Sequence, residues 1–396
     1  MKKLAIITTH PIQYNAPLFK LLSANKTIHV KVFYTWGQAE GKIFDPGFGK
    51  IRQWDIPLLE GYEYTFVKNI AKKPGSHHFK GINNPALIDE IEVFKPHVLL
   101  VFGWSFQSHL KAIKYFYKKI PVIFRGDSTL LDEKKVWSLK RLIRKVFLSW
   151  VYGHIDYALY TGTANKKYFQ NFGLKETQLV FAPHAIDTMA FYDETSKYKQ
   201  AADAWRTELG IKESDVVFLF AGKLEPKKNL ELLITAFQQI TRENAWLIVV
   251  GNGILEQILK LSAKDNKRII FLPFQNQTKM PVVYRLGNVF ILPSRGPSET
   301  WGLAVNEAMA CGRPVIVSDK CGCAADLVKN GKNGFIFNST SVSELTAAMN
   351  FFLNNPEKIR VFGKVSYTYI QNWNYDYQVK AITSLVTCET SKSSLL

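Results

Sequence analysis

Val216-Val217-Phe218-Leu219-Phe220 is an unbroken run of β-branched and apolar residues. It leads through Ala221-Gly222-Lys223-Leu224-Glu225-Pro226 into the helical pattern Asn229-Leu230-Glu231-Leu232-Leu233. A strand apolar on both faces belongs inside a parallel sheet, and a glycine turn into a helix makes the next connection a crossover. The alternation continues C-terminally, with strands expected at Trp246–Val250, Ile269–Leu272, Val289–Leu292, Pro314–Ser318 and Gly334–Phe337. It also runs back through Leu4–Thr8, His29–Tyr34, His97–Phe102, Pro121–Phe124, Tyr157–Tyr160 and Leu179–Ala182. Helical patterns at Ala16–Ala24, Pro85–Phe94, Gln107–Tyr117 and Ala164–Phe172 separate those earlier strands. Two successive βα series predict an α/β protein of two doubly wound, Rossmann-like parallel-sheet domains.

A chain of 396 residues with 47% hydrophobic content carries enough apolar material for two cores. No apolar run reaches the roughly 18–20 residues of a membrane-spanning helix. Lys2 and Lys3 precede only a short apolar stretch that runs straight into Thr8-Thr9-His10-Pro11. That segment reads as a first strand rather than a signal peptide, which predicts a cytoplasmic protein. Cys311, Cys321, Cys323 and Cys388 are expected to be reduced thiols, and Cys321-x-Cys323 lacks the second pair that a zinc site needs.

The net charge of +18 is uneven: residues 1–200 hold 29 Lys and Arg against 16 Asp and Glu, the remainder 22 against 17. A basic first half suits an anionic partner there, although Lys-rich solvated faces are common. Nucleic acid is not expected, because zinc-finger spacing, RNA-recognition aromatics and a basic tail are all missing. Glu133–Tyr152 places Val136, Leu139, Ile143, Val146, Phe147 and Trp150 on one helical face, with Lys134, Lys135, Lys140, Arg141, Arg144 and Lys145 around its sides. Two readings stand: a domain helix whose apolar face packs on the sheet, or a basic amphipathic helix lying on an anionic membrane surface. Gly37–Ser76 reads as an acceptor-side insertion containing a hairpin, Phe191–Ala204 as the interdomain linker, and the tail after Glu389 as frayed.

The chemistry concentrates in Leu292–Ile316, LPSRGPSETWGLAVNEAMACGRPVI. A strand ends in a Pro/Ser/Gly loop, and a helix is expected from near Gly302 to Cys311-Gly312. Open α/β sheets bind ligands at the carboxyl ends of strands, and helix N-termini favour anions. Backbone N–H groups at Trp301, Gly302, Leu303 and Ala304 would therefore face a diphosphate or sugar hydroxyls. Glu299, before the helix, and Glu307, more than one turn inside it, would reach different parts of one elongated, hydroxyl-rich ligand.

These residues resemble the E-x7-E signature of glycosyltransferase family four. The resemblance implies the GT-B fold, two Rossmann-like domains facing across a cleft, and sugar transfer from a nucleotide donor with retention of configuration. It maps Glu299 to the donor sugar and Glu307 to the ribose, with Trp301 in place of the usual Phe. Gly222, Lys223 and Lys228 resemble the family's phosphate-binding segment, with Lys223 where Arg is usual. Two cations there would neutralise the departing diphosphate without a metal or other cofactor. Phe274, in the loop Leu272–Met280, is the candidate for the nucleobase, which could be uracil or guanine.

In the first half, Thr9-His-Pro-Ile-Gln-Tyr-Asn-Ala-Pro17 resembles a branch of the family with an HPIQY motif, making His10 and Tyr14 acceptor-side candidates. Arg125-Gly-Asp127 stands where many members carry a catalytic-site His, and His184 stands where the family has Asn in a Pro-Asn-Gly-Ile-Asp turn. Asp127 and His10 join Glu299 and Lys228 as catalytic candidates, and Trp104, Arg125, Asp127 and His184 as acceptor-side ones. Asn372–Asp376 resembles the crossing back to the first domain. The expected acceptor domain is then 1–195 plus 373–396, and the donor domain 196–372. The implied reaction moves a hexose-type sugar from a UDP or GDP sugar to a glycan, lipid-linked acceptor included, at the inner membrane face during surface-polysaccharide or glycoconjugate assembly. A nucleotide-sugar epimerase sharing the fold and a basic nucleic-acid-binding protein are the alternatives.

Overall fold

The computed structural model describes residues 1–37, 43–45, 50–52, 55–133 and 138–388. Strands β1 (Lys2–Thr8), β2 (Ile28–Tyr34), β3 (Ile43–Asp45), β4 (Lys50–Arg52), β5 (Glu63–Phe66), β6 (Val98–Phe102), β7 (Val122–Arg125), β8 (Tyr157–Tyr160) and β9 (Leu179–Phe181) occupy the first half. β10 (Val216–Ala221), β11 (Ala245–Val250), β12 (Ile269–Leu272), β13 (Val289–Leu292), β14 (Val315–Ser318) and β15 (Gly334–Phe337) follow. They form a seven-stranded sheet, β5-β2-β1-β6-β7-β8-β9, a six-stranded sheet, β12-β11-β10-β13-β14-β15, and the hairpin β3-β4. Both large sheets are parallel throughout, as their two-sided apolar strands require. Helices connect most successive strands of the two large sheets, so each unit is a Rossmann-like doubly wound layer.

In each sheet the strand order reverses once, beside β1 in the first and beside β10 in the second. At such a reversal neighbouring crossovers leave in opposite directions and open a crevice beyond the strand ends. In the first unit it lies between the segments after β1 and β6, and in the second between those after β10 and β13. The cores beneath are tightly packed: every residue of β10 is buried, and so is every residue of β13 and β14.

The chain divides into two compact units. One comprises Met1–Gly41, Pro57–His184 and Tyr375–Leu396, the other Lys42–Ile56 and Ala185–Asn374. Three expectations shift. The division falls at His184, short of 195, because the next segment packs on the second unit: Asp193 pairs with Arg285 Nε at 3.4 Å, and Phe191 O accepts from Arg285 Nη2 at 2.8 Å. The stretch taken for a linker is helical over Lys197–Glu208, held by Arg285 over Tyr198 and Lys279 over Trp205. The expected hairpin is present as β3-β4, but it groups with the second unit rather than on an acceptor side, and Asp55 beyond it accepts from Thr278 N and Oγ1. β5 was hidden in the same stretch, since four residues of mixed polarity leave little periodic signal.

The helix expected over Glu133–Tyr152 is observed over Leu139–Tyr152. Lys134, Lys135 and Val136, like the tail after Glu389, lie outside the described residues. Its apolar face does not pack on the sheet: Leu148, Val151 and Tyr152 are buried, whereas Leu139, Ile143, Val146, Phe147 and Trp150 are exposed.

His109, fully buried in the helix Gln107–Phe116, ties the ends of β6 and β2 together. Its Nδ1 lies 2.8 Å from Gly103 O and its Nε2 2.8 Å from Thr35 Oγ1. A neutral ring protonated on Nδ1 satisfies both contacts, with the Thr35 hydroxyl donating to Nε2. Burial lowers its pKa from 6.5 to about 4. The unfolded chain therefore binds the extra proton first on acidification. The stabilisation is complete above pH 6.5 and is lost as pH falls towards about 4. Up to about 3 kcal/mol is at stake. Denaturant unfolding from pH 7 to pH 4 should show this loss, and a His109→Gln variant should show a flatter profile.

Candidate donor site

At the reversal in the second sheet the loop after β10 carries Gly222, Lys223 and, in a 3-10 turn at Pro226–Lys228, the lysine at its end. Asn229 follows in the left-handed region (φ 56°), and its buried amide donates to Pro293 O at 3.2 Å and Ser339 O at 2.9 Å. One side chain thus fixes the β10 loop against the segments after β13 and β15. The β11 loop closes on the other side: a Cβ at Gly251 (φ 140°) would sit 2.0 Å from Gly222 O, and one at Gly253 2.4 Å from Leu224 O. Only glycine permits that approach.

Half-buried Lys228 and buried Glu299 form an ion pair, and Ser294 Oγ donates to the same carboxylate oxygen at 2.9 Å. A carboxylate and an ammonium at this depth are stable together and costly apart. The loop bearing Glu299 contains a cis Gly296-Pro297 bond and Ser298 at φ 72°. It leads to Gly302 at φ 100°, the N-cap of the helix Leu303–Ala310. A Cβ on Gly302 would meet Leu292 Cδ2 at 2.7 Å and lie 3.9 Å from Glu299 Oε1. Leu303 and Ala304 are half-buried at the helix start, where the dipole is positive. The Trp301 indole is buried, donates to Asn306 Oδ1 at 2.8 Å and packs on Trp373 at 5.3 Å. The Trp301 ring is thus committed to packing within the fold.

Glu307 projects from the same helix, almost completely buried. Tyr284 Oη donates to it at 2.6 Å, and Gln277 Nε2 at 3.2 Å. Gln277 belongs to the loop carrying half-buried Phe274, whose backbone N–H donates to Asn252 Oδ1 at 3.0 Å. Asn252, Tyr284, Gln277 and Ser294 escaped the sequence reading. The Gly251-Asn252-Gly253 turn after a strand was the available signal.

In the first unit, the imidazole of His10 lies 2.9 Å from Thr9 Oγ1 and meets the Trp36 ring edge-on at 5.3 Å, and burial lowers its pKa. Tyr14 O accepts from Tyr375 Oη at 3.1 Å. Asp127, half-buried, lies 3.6 Å from His184 Nε2, whose pKa burial also lowers. Arg125 is no surface ligand. Its buried guanidinium donates to Ala182 O at 2.9 Å and Pro183 O at 3.3 Å, and burial brings its pKa down to about 10. Trp104 packs edge-to-face on Phe147 at 5.5 Å.

The arrangement in the second unit agrees with what the chain resembles. Residues 201–368 match the family of glycosyl transferases group 1. A D-inositol 3-phosphate glycosyltransferase of Gordonia bronchialis is 28% identical over 195 residues, 45% of this chain and 42% of that one. The sulfoquinovosyl transferase SQD2 of Arabidopsis thaliana is 24% identical over 297 residues, 72% of this chain and 55% of that one. The chain spans less than half the length of the first such relatives it matches. Among solved structures, Anabaena Alr3699/HepE in complex with UDP and glucose superposes with a TM-score of 0.71 at 18% identity, covering 98% of this chain and all of that one. Over residues 201–368 the chain is thus similar to the glycosyl transferases group 1, and its two parallel-sheet units have the GT-B fold.

Proposed function

We propose that this chain is a retaining, metal-independent glycosyltransferase. It moves a hexose-type sugar from a nucleotide donor to a glycan acceptor, lipid-linked, on the cytoplasmic side of the membrane. The observation that carries this is the Lys228–Glu299 ion pair at the reversal of the second sheet, beside the N-terminus of Leu303–Ala310. A diphosphate seated there replaces Glu299 as the partner of Lys228, while Glu299 turns to the hydroxyls of the sugar. Lys223 and the helix start share the remaining charge. Glu307 grips the ribose, and Phe274 lies by the base. The solved complex of Anabaena Alr3699/HepE with UDP favours uracil over guanine.

The acceptor hydroxyl attacks the anomeric carbon from the face that the diphosphate leaves. The new C–O bond forms as the C–O bond to phosphate breaks, and the departing phosphate oxygen takes the hydroxyl proton, so no enzyme nucleophile is needed. Asp127 and His10 orient the acceptor. A thermal-shift screen should find stabilisation by UDP and a UDP-sugar above that by GDP, unchanged by EDTA. NMR of the first product should show the donor's anomeric configuration. Inverted product, or no response to any nucleoside diphosphate, would overturn the reading.

A further inference from the structure

We propose that the helix Leu139–Tyr152 docks the first unit on an anionic phospholipid surface, its exposed apolar stripe entering the headgroup layer. The helix has two apolar faces. Leu148, Val151 and Tyr152 are buried against the domain. On the opposite side Leu139, Leu142, Ile143, Val146, Phe147 and Trp150 are all exposed, each at least 40%. At 3.6 residues per turn these six cover an arc of about 140° centred opposite Leu148. Single exposed apolar residues are ordinary, but a continuous stripe on one helix marks an interaction surface.

The chemistry around the stripe selects the occupant. Lys140, Arg141, Arg144 and Lys145 share the helix, which contains no Asp or Glu. The neighbouring helix Gln107–Phe116 contains none either, and its Lys114 stands over the Trp150 ring at 5.3 Å. Glu133 is already shared between Arg144 and Arg141, the latter at 3.7 Å. Arg141, Arg144, Lys145 and Ser138, together with Glu133, line an adjoining pocket of about 330 Å³. Phe147 and Trp150 stack at 5.9 Å, and such aromatic rings favour the boundary between headgroups and acyl chains. A second copy of this chain would bring cations against cations, and a nucleic acid would leave the aliphatic stripe in water. An anionic bilayer satisfies both the stripe and its flanks.

The inference rests on the reading of a lipid-linked acceptor for its purpose, while its geometry stands on this helix. The full chain should float with vesicles containing roughly one-third phosphatidylglycerol and not with pure phosphatidylcholine, with added salt weakening the association. The I143E/V146E variant, altered only at exposed positions, should lose binding by about tenfold or more, as should K140E/K145E. Both should keep the nucleotide thermal shift, which certifies the fold and reports the donor site separately. Flotation without a nucleotide response would leave docking intact and overturn the function. Wild-type protein that stays soluble beside anionic vesicles, I143E/V146E that floats as wild type does, or capture by an RNA homopolymer but not by vesicles would overturn docking.

Discussion

Alanine at Lys228 is expected to lower sugar transfer by about 10²–10³-fold. The ammonium is held against Glu299 on the 3-10 turn after β10, where a leaving diphosphate gathers charge. Its removal also leaves the buried Glu299 carboxylate with its Ser294 hydrogen bond but without its cation, so stability should fall by about 3 kcal/mol. The two effects separate experimentally. Steady-state transfer reads the first, denaturant unfolding the second, and Lys228→Arg should recover much of the stability but only part of the rate. Because the two residues act as one unit, K228A/E299A should cost far less than the product of the single losses. Unchanged turnover in Lys228→Ala would remove the phosphate role.

Gly322→Ala should be as damaging without touching any charged group. A Cβ there would lie 1.7 Å from Thr300 O and 2.5 Å from Thr300 C, so the two backbones must part. That approach is fixed on both sides: Gly322 N–H donates to Glu299 O at 3.1 Å and Cys323 N–H to Trp301 O at 3.0 Å. Parting them displaces the loop that carries Glu299 and the start of Leu303–Ala310. A loss of about 3 kcal/mol in unfolding free energy is expected, together with loss of the nucleotide thermal shift. Wild-type stability would show that the loop has slack and that its position does not define the donor site.

Much of the second unit was legible because its information is local. Continuous apolar strands, glycine turns and the helix from Gly302 to Cys311 are written in neighbouring residues, and every expected strand of that half is observed within one residue. Gly222, Lys228 and Glu299 could be singled out because they stand in loops that follow strand ends. Asn252 and Tyr284 were not, because each acts on a partner distant along the chain. Tyr284 reaches Glu307 from another helix, and Asn252 reaches Phe274 from another loop. Arg125 misled for the same reason: a surface arginine and one buried under two carbonyls have the same local sequence.

By itself the sequence determined the two parallel sheets, their order along the chain and the loops that follow the strand ends. Hydrophobic periodicity and glycine placement act over a few residues and are readable without the fold. Tertiary structure decided which polar groups share a partner, where backbones come into contact and which face of an amphipathic helix is covered. The pairing of Lys228 with Glu299, the close approach at Gly322 and the exposure of the Leu139–Trp150 stripe all depend on residues far apart in sequence, and folding alone brings those together.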